Sequence, residues 1–124
     1  MEEAKIKALG EVKRIELLRL LAERSWCVRA LARRTLARRS YLSEPAVSQH
    51  LRVLREAGLV EGIKRGYYTH YRLNKDGLNE VIDALIQLRD TERIPCDRPY
   101  YGCPEAEHIR CRAYVSAEER KENT

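Results

Sequence analysis

The side chains with the sharpest chemistry in this 124-residue chain are its four cysteines. Cys96, Cys103 and Cys111 follow one another as C-x6-C-x7-C with His108 beside them, and Cys27 stands apart in Trp26-Cys-Val-Arg29. Thiolates suit soft ions such as arsenite, Cd²⁺, Cu⁺ or Zn²⁺, can hold iron–sulfur clusters, and can switch between dithiol and disulfide. The spacing is neither the zinc-knuckle C-x2-C nor the C-x-x-C of a dithiol oxidoreductase. What favours a metal or redox role is density: three cysteines in 30 residues with few aliphatics. For Cys27 alone, use as a small half-buried packing residue competes with a ligand role. No nucleophile–base–orienter set and no glycine-rich phosphate loop is visible, so an enzyme is not expected.

A second constellation is polar and basic. Residues 24–72 carry eleven Lys and Arg against three acids, net +8, while the whole chain is only +5 and residues 95–124 are net −1. A basic block in mid-chain is the footprint of a polyanion binder. Within it, Ser43-Glu44-Pro45 opens a helix with a capping hydroxyl, an acid and a proline where each is favoured. Val47, Leu51 and Leu54 face inward along that helix and Gly58 closes it, which leaves Ser48, Arg52 and Arg55 together on the outer face.

The elements that must position these groups follow from periodicity. A short helix carries Ala4, Ile6 and Leu9 and ends near Gly10; Val12, Ile15, Leu18 and Leu21, widened by Leu17 and Leu20, predict a helix over 12–23. Val28, Leu31, Ala32, Thr35 and Leu36 predict another within 26–39, its remaining face rich in arginine. Leu59–Ile63 and Tyr67–Leu73, interrupted by Lys64-Arg65-Gly66, read as a β-hairpin with a basic tip. A last helix from Asp76 carries Leu78, Val81, Ile82, Leu85, Ile86 and Leu88 to about Arg93, and Pro95 stops it. The expected organisation is a domain over 1–94 and a cysteine-bearing tail over 95–124. No run reaches the ~18 apolar residues of a membrane span and the N-terminus has no apolar signal core, so a cytoplasmic protein without membrane contact is expected.

An Arg-faced helix, a Ser-capped helix and a basic hairpin compose a winged helix-turn-helix: mainly α with a small β-hairpin. In such a fold the N-terminal residues of the second helix meet base edges in the major groove. Ser48 and Gln49 are the best base-readers, Arg52 suits guanine or phosphate, and Lys64 and Arg65 suit the minor groove or flanking phosphates. Ser43, Pro45, His50 and Arg55 complete the surface, His50 as a residue that positions backbone or packs locally.

Ser43–Gly58, SEPAVSQHLRVLREAG, followed by LVEGIKRGYYTHYRL, resembles the DNA-binding core of the arsenical-resistance repressor (ArsR/SmtB) family, and ALGEVKRIELLRLLAE is similar to its second helix. The resemblance covers about residues 4–90 and leaves the tail outside. It implies a homodimer formed through the first and last helices, a pseudo-palindromic double-stranded operator, and repression relieved by a thiol-directed signal: a thiophilic metal or metalloid, a cluster or an oxidant. The alternative is a constitutive regulator whose tail is a structural zinc or partner-binding arm. Cys27 matches the first cysteine of the family's Cys-Val-Cys metal motif, but Arg29 occupies the second position. The final helix has no His, so the family's Asp/His/Glu site is not carried over. One departure stands out: Leu31-Ala-Arg-Arg34 is repeated as Leu36-Ala-Arg-Arg39, and a five-residue insertion rotates the side chains beyond it by about 140°. The turn after it has Ser40-Tyr41 in place of the usual glycine.

Overall fold

In the computed structural model, residues 2–94 are described; Cys96, Cys103, Cys111 and Pro95 lie outside them. The order is α1 (Glu2–Leu9), α2 (Val12–Glu23), β1 (Trp26–Cys27), α3 (Val28–Ala37), α4 (Glu44–Glu56), β2 (Val60–Arg65), β3 (Tyr68–Leu73) and α5 (Lys75–Asp90). The first compact unit runs Met1–Arg89.

The core is built mainly of leucine from four elements. Leu17, Leu18, Leu20 and Leu21 of α2 pack with Leu31 of α3, with Val47, Leu51 and Leu54 of α4, and with Leu59 and Val60 entering the sheet. Four apolar positions in five residues of α2 span about 160° of its circumference, a wide stripe that can meet several neighbours. The stripe is shifted from the expected one, because Val12 is 70% exposed. In α1 the buried residues are Lys5 and Ala8, while Ala4 and Ile6 face out. Lys5 is buried by its stem and reaches Glu80 of α5 at 2.9 Å, and its ammonium holds that carboxyl below the usual range.

The sheet corrects the expected hairpin. Trp26-Cys27 is not the start of a helix but a short strand on the open edge of β3, giving the antiparallel order β1-β3-β2 with Trp26 opposite Tyr71 and Cys27 opposite His70. The tryptophan is fixed there because its indole Nε1–H donates to the Leu20 carbonyl at 2.9 Å and the Arg24 guanidinium lies 4.8 Å from its ring centroid. β2 and β3 pair from Val60↔Leu73 to Arg65↔Tyr68, so the turn is Gly66-Tyr67 and Lys64 and Arg65 end the strand beside the tip. Gly66 supplies the positive φ of 64° that a two-residue hairpin turn needs. At the other end, α5 stops at Asp90, short of the expected Arg93.

The repeated LARR unit is resolved by exposure. Leu31 is fully buried, whereas its repeat equivalent Leu36 is 60% exposed. The rotation of about 140° between them puts only one into the core. Thr35 takes the next inward position: its hydroxyl donates to the Ala32 carbonyl and accepts from Leu42 N–H, turning the chain toward α4.

α3 and α4 end in the same hydrogen-bond pattern with different residues. Ser40 N–H donates to Thr35 O at 2.9 Å and Arg39 N–H to Leu36 O at 3.1 Å; Leu59 N–H donates to Leu54 O at 2.9 Å and Gly58 N–H to Arg55 O at 3.0 Å. Both are Schellman closures whose key residue is left-handed. Gly58 takes φ 81° as expected of glycine, and Arg39 takes φ 60°. The left-handed region costs an L-residue roughly 1–2 kcal/mol, partly offset in glycine by its greater chain entropy. Arg39→Gly should therefore stabilise the fold by about 1 kcal/mol and raise the thermal midpoint by about 4–8 °C in a domain of this size. An unchanged or lower midpoint by calorimetry would show that the Arg39 side chain makes up the difference elsewhere.

Candidate nucleic-acid interface

α4 is the element that presents the polar residues. Ser43 is its N-cap, accepting from Ala46 N–H at 3.3 Å, and Pro45 lies in the first turn. Val47, Leu51 and Leu54 are buried as the periodicity requires, and Pro45, Ser48, Gln49, Arg52 and Arg55 are all exposed. Ser48, Arg52 and Arg55 lie within about 60° of one another around the helix, opposite the core. Arg52 Nε donates to Glu56 Oε1 at 3.1 Å. Both partners are more than half exposed, so the pair is worth well under ~1 kcal/mol and does not prevent the guanidinium from turning to DNA.

His50 leaves this face. It is half-buried, and its Nδ1 lies 3.5 Å from Arg14 Nη1 of α2, long for a hydrogen bond. Burial first, and then the Arg14 guanidinium, push its pKa below the ordinary 6.5, with Glu11 pulling the other way. A neutral imidazole is no phosphate cation, so His50 packs and positions. Arg14 also donates from Nε to the Ala8 carbonyl and from Nη2 to the Lys7 carbonyl, so it fastens the end of α1 to α4. No sequence pattern singles Arg14 out.

In the wing, Lys64 and Arg65 are exposed and Tyr67 at the turn is fully so. Arg72 is instead held across the strands by Glu61 at 2.8 Å. The structure therefore leaves Lys64 and Arg65 as cations without an ion-pair partner among the described residues, next to the hairpin tip.

A model of the arsR family of bacterial regulatory proteins matches residues 11–62, from the N-cap of α2 into β2. An uncharacterised HTH-type transcriptional regulator of Methanocaldococcus jannaschii is 32% identical over 83 residues, 66% of this chain and 88% of that one. The chain belongs to the arsR family. Among solved structures, an ArsR-like transcriptional regulator from Rhodococcus sp. RHA1 is 29% identical with a TM-score of 0.61, covering 70% of this regulator and 75% of its own chain. A homodimeric winged helix-turn-helix DNA-binding domain from Mycobacterium bovis, a possible ArsR-family regulator, is 25% identical with a TM-score of 0.56, over 73% and 81% of the two chains. The regulator is thus a DNA-binding winged helix-turn-helix protein and not an enzyme. No helix among the described residues is long and apolar enough to cross a membrane.

Of the four cysteines expected to take part in metal or redox chemistry, Cys27 lies among the described residues of this regulator. Cys27 is a free, half-exposed thiol opposite His70 on the neighbouring strand. No three His, Cys, Asp or Glu side chains converge among the described residues, and Arg29 stands where the family motif has its second cysteine.

Proposed function

We propose that the regulator binds a pseudo-palindromic operator as a homodimer and represses transcription until a thiol-directed signal releases it. The observation that carries the DNA half of this reading is the outer face of α4, Ser48, Gln49, Arg52 and Arg55, set beside a wing ending in Lys64 and Arg65, which have no ion-pair partner among the described residues. Ser48 and Gln49 are the base-readers, Arg52 reads guanine or holds phosphate, and the wing residues hold flanking phosphate. Dimerisation is favoured by α5, whose Ile82, Leu85 and Ile86 are exposed on one face; half-sites should lie about 10 base pairs apart or a multiple of that. The signal half rests on the free thiol of Cys27 together with Cys96, Cys103 and Cys111.

The experiment is operator selection followed by titration of the reduced, anaerobic full chain. Arg52→Ala should cost about 1–3 kcal/mol and relax specificity at one base position. Lys64→Ala should weaken all sequences alike and flatten the salt slope by about one unit per DNA-bound copy. Variants that both bind the operator like wild type would overturn the surface assignment. In the same assay, arsenite, Zn²⁺ or an oxidant should release wild-type protein, and substitution of Cys96, Cys103 and Cys111 should abolish release. Release unaffected by that triple substitution removes the tail from the sensing mechanism. Stoichiometric zinc that never alters binding supports a structural arm instead.

A further inference from the structure

The five arginines of α3 and its closing turn are not equivalent. Around the helix, Leu31 and Thr35 point into the core, and Arg29 and Arg33, one turn apart, point the opposite way. Arg33 belongs to the first LARR unit; its repeat equivalent is Arg38, displaced by about 140°. The cavities separate Arg29 and Arg33 from Arg38, although the first two, with Arg34, also line a cleft of about 390 Å³ beside Trp26, Cys27 and Tyr68. Arg29 and Arg33 line one wall of a cleft of about 280 Å³ whose other wall is Tyr41, Ser43 and Glu44 at the start of α4. Arg38 lines a separate cavity of about 180 Å³ with Glu16 and Arg19 of α2.

We propose that the cleft between α3 and α4 seats a DNA backbone phosphate on Arg29 and Arg33, while Arg38, the product of the repeat, makes no DNA contact. The inference rests on the regulator's DNA binding and adds a contact outside the base-reading face and the wing. Neither Arg29 nor Arg33 has a carboxylate partner among the described residues; Glu44 shares the cleft but forms no ion pair with either. Two exposed guanidiniums one helical turn apart repel each other unless an anion lies between them. A guanidinium fork matches phosphate oxygens in pairs, and Tyr41, exposed on the facing wall, offers a phenolic O–H of the kind that contacts phosphate. Ser43 already uses its hydroxyl on Ala46 N–H, so it contributes little further. The cleft opens beside the start of α4, the end that a recognition helix presents to the groove, where a neighbouring phosphate must pass.

The test measures affinity of the full chain for a random-sequence duplex of about three helical turns over a salt series. Counterion release makes the slope of log affinity against log salt fall by about 0.9 for each phosphate that is no longer neutralised. The double variant Arg29→Gln/Arg33→Gln, which leaves that phosphate without a cation, should flatten the slope by about that amount per DNA-bound copy, each single variant by part of it, and Arg38→Gln not at all. Arg33→Lys, which keeps the charge, should restore most of the slope. Unfolding midpoints measured in parallel should match wild type, since both side chains are exposed. A folded double variant with the wild-type slope overturns the proposal, as does equal flattening by Arg38→Gln, which would mean diffuse net charge rather than a seat. A wild-type slope combined with abolished binding to polyglutamate would assign the cleft to an acidic polypeptide and equally overturn it. If wild-type protein binds no duplex, DNA binding itself fails, a distinct result.

Discussion

Replacing Gly77 with alanine should lower the stability of the regulator by about 3 kcal/mol and its thermal midpoint by on the order of 15 °C. Helix propensity alone predicts the opposite sign, since alanine in a helix is worth about 1 kcal/mol more than glycine. The difference is what lies against the position. Gly77 is buried in the first turn of α5, and a Cβ there would overlap the carbonyl oxygen of Gly58, the residue that closes α4. That oxygen cannot swing away cheaply, because it accepts a hydrogen bond from Asn74 Nδ2 at 3.0 Å. Asn74 in turn accepts from Gly77 N–H at 3.3 Å and donates its own N–H to the Leu59 carbonyl at 2.8 Å. The end of α4, the end of β3 and the start of α5 are thus tied within a few ångströms. A backbone shift must break one of these bonds or move the recognition helix. Denaturant unfolding of Gly77→Ala beside Asn79→Ala, an exposed position on the same helix expected within about 0.5 kcal/mol of wild type, checks this. Equal stability of the two variants would show that α5 can lift from Gly58 freely.

The same knot shows which parts of the fold were legible beforehand. α4 could be read completely, because its cap, its three inward residues and its closing glycine all specify one helix in one register. The wing was legible as alternating β-formers around a basic turn, although β2 runs two residues further, through Lys64 and Arg65, and β3 begins one residue later than the pattern indicates. β1 was not: two residues, Trp26 and Cys27, have no periodicity, and what makes them a strand is the edge of β3, distant in sequence, together with the nearby Leu20 carbonyl. The closing of α3 by Arg39 was hidden for a related reason. Arginine carries no signal for the left-handed region, so the turn is set by the bonds of Ser40 and Arg39 to Thr35 and Leu36. Of the interface, the face of α4 followed from spacing, whereas the separation of Arg29 and Arg33 from Arg38 needed the buried position of Thr35 to orient the helix.

α1 touches both α5 and the residues that flank α4. Its Lys5 pairs with Glu80 of α5, and the Lys5 ammonium lies 3.4 Å from where a Gly58 Cβ would stand. Its last carbonyls, of Lys7 and Ala8, are held by Arg14, which also approaches His50 of α4. α1 is thus in contact with α5, with the residue that closes the recognition helix and, through Arg14, with His50 at the middle of that helix.

Leu85→Glu should convert the regulator to a monomer and weaken operator binding by about 10²–10⁴-fold, the range expected when two linked sites become one. Within α5 only Gly77 and Val81 are buried in the chain itself. Ile82, Leu85 and Ile86, at i, i+3 and i+4, form an apolar stripe that is 41%, 53% and 40% exposed. Covering a fully exposed side chain of this size is worth roughly 1.5–3 kcal/mol; these are about half exposed, and two copies of the stripe across a two-fold axis together bury enough to hold a dimer. A carboxylate at its centre meets its own copy and a desolvated apolar surface, and both effects oppose association. The substitution leaves α4 and the wing untouched, so residual DNA binding should persist with about half the wild-type salt slope, as expected when one protomer's phosphate contacts remain. Sedimentation velocity gives the mass and a titration on the operator gives the affinity. A Leu85→Glu protein that keeps both the mass and the affinity of wild type would mean that this face of α5 is not where two copies meet. If only the affinity were kept, the operator would be read by one protomer alone, and the half-site spacing would lose its basis.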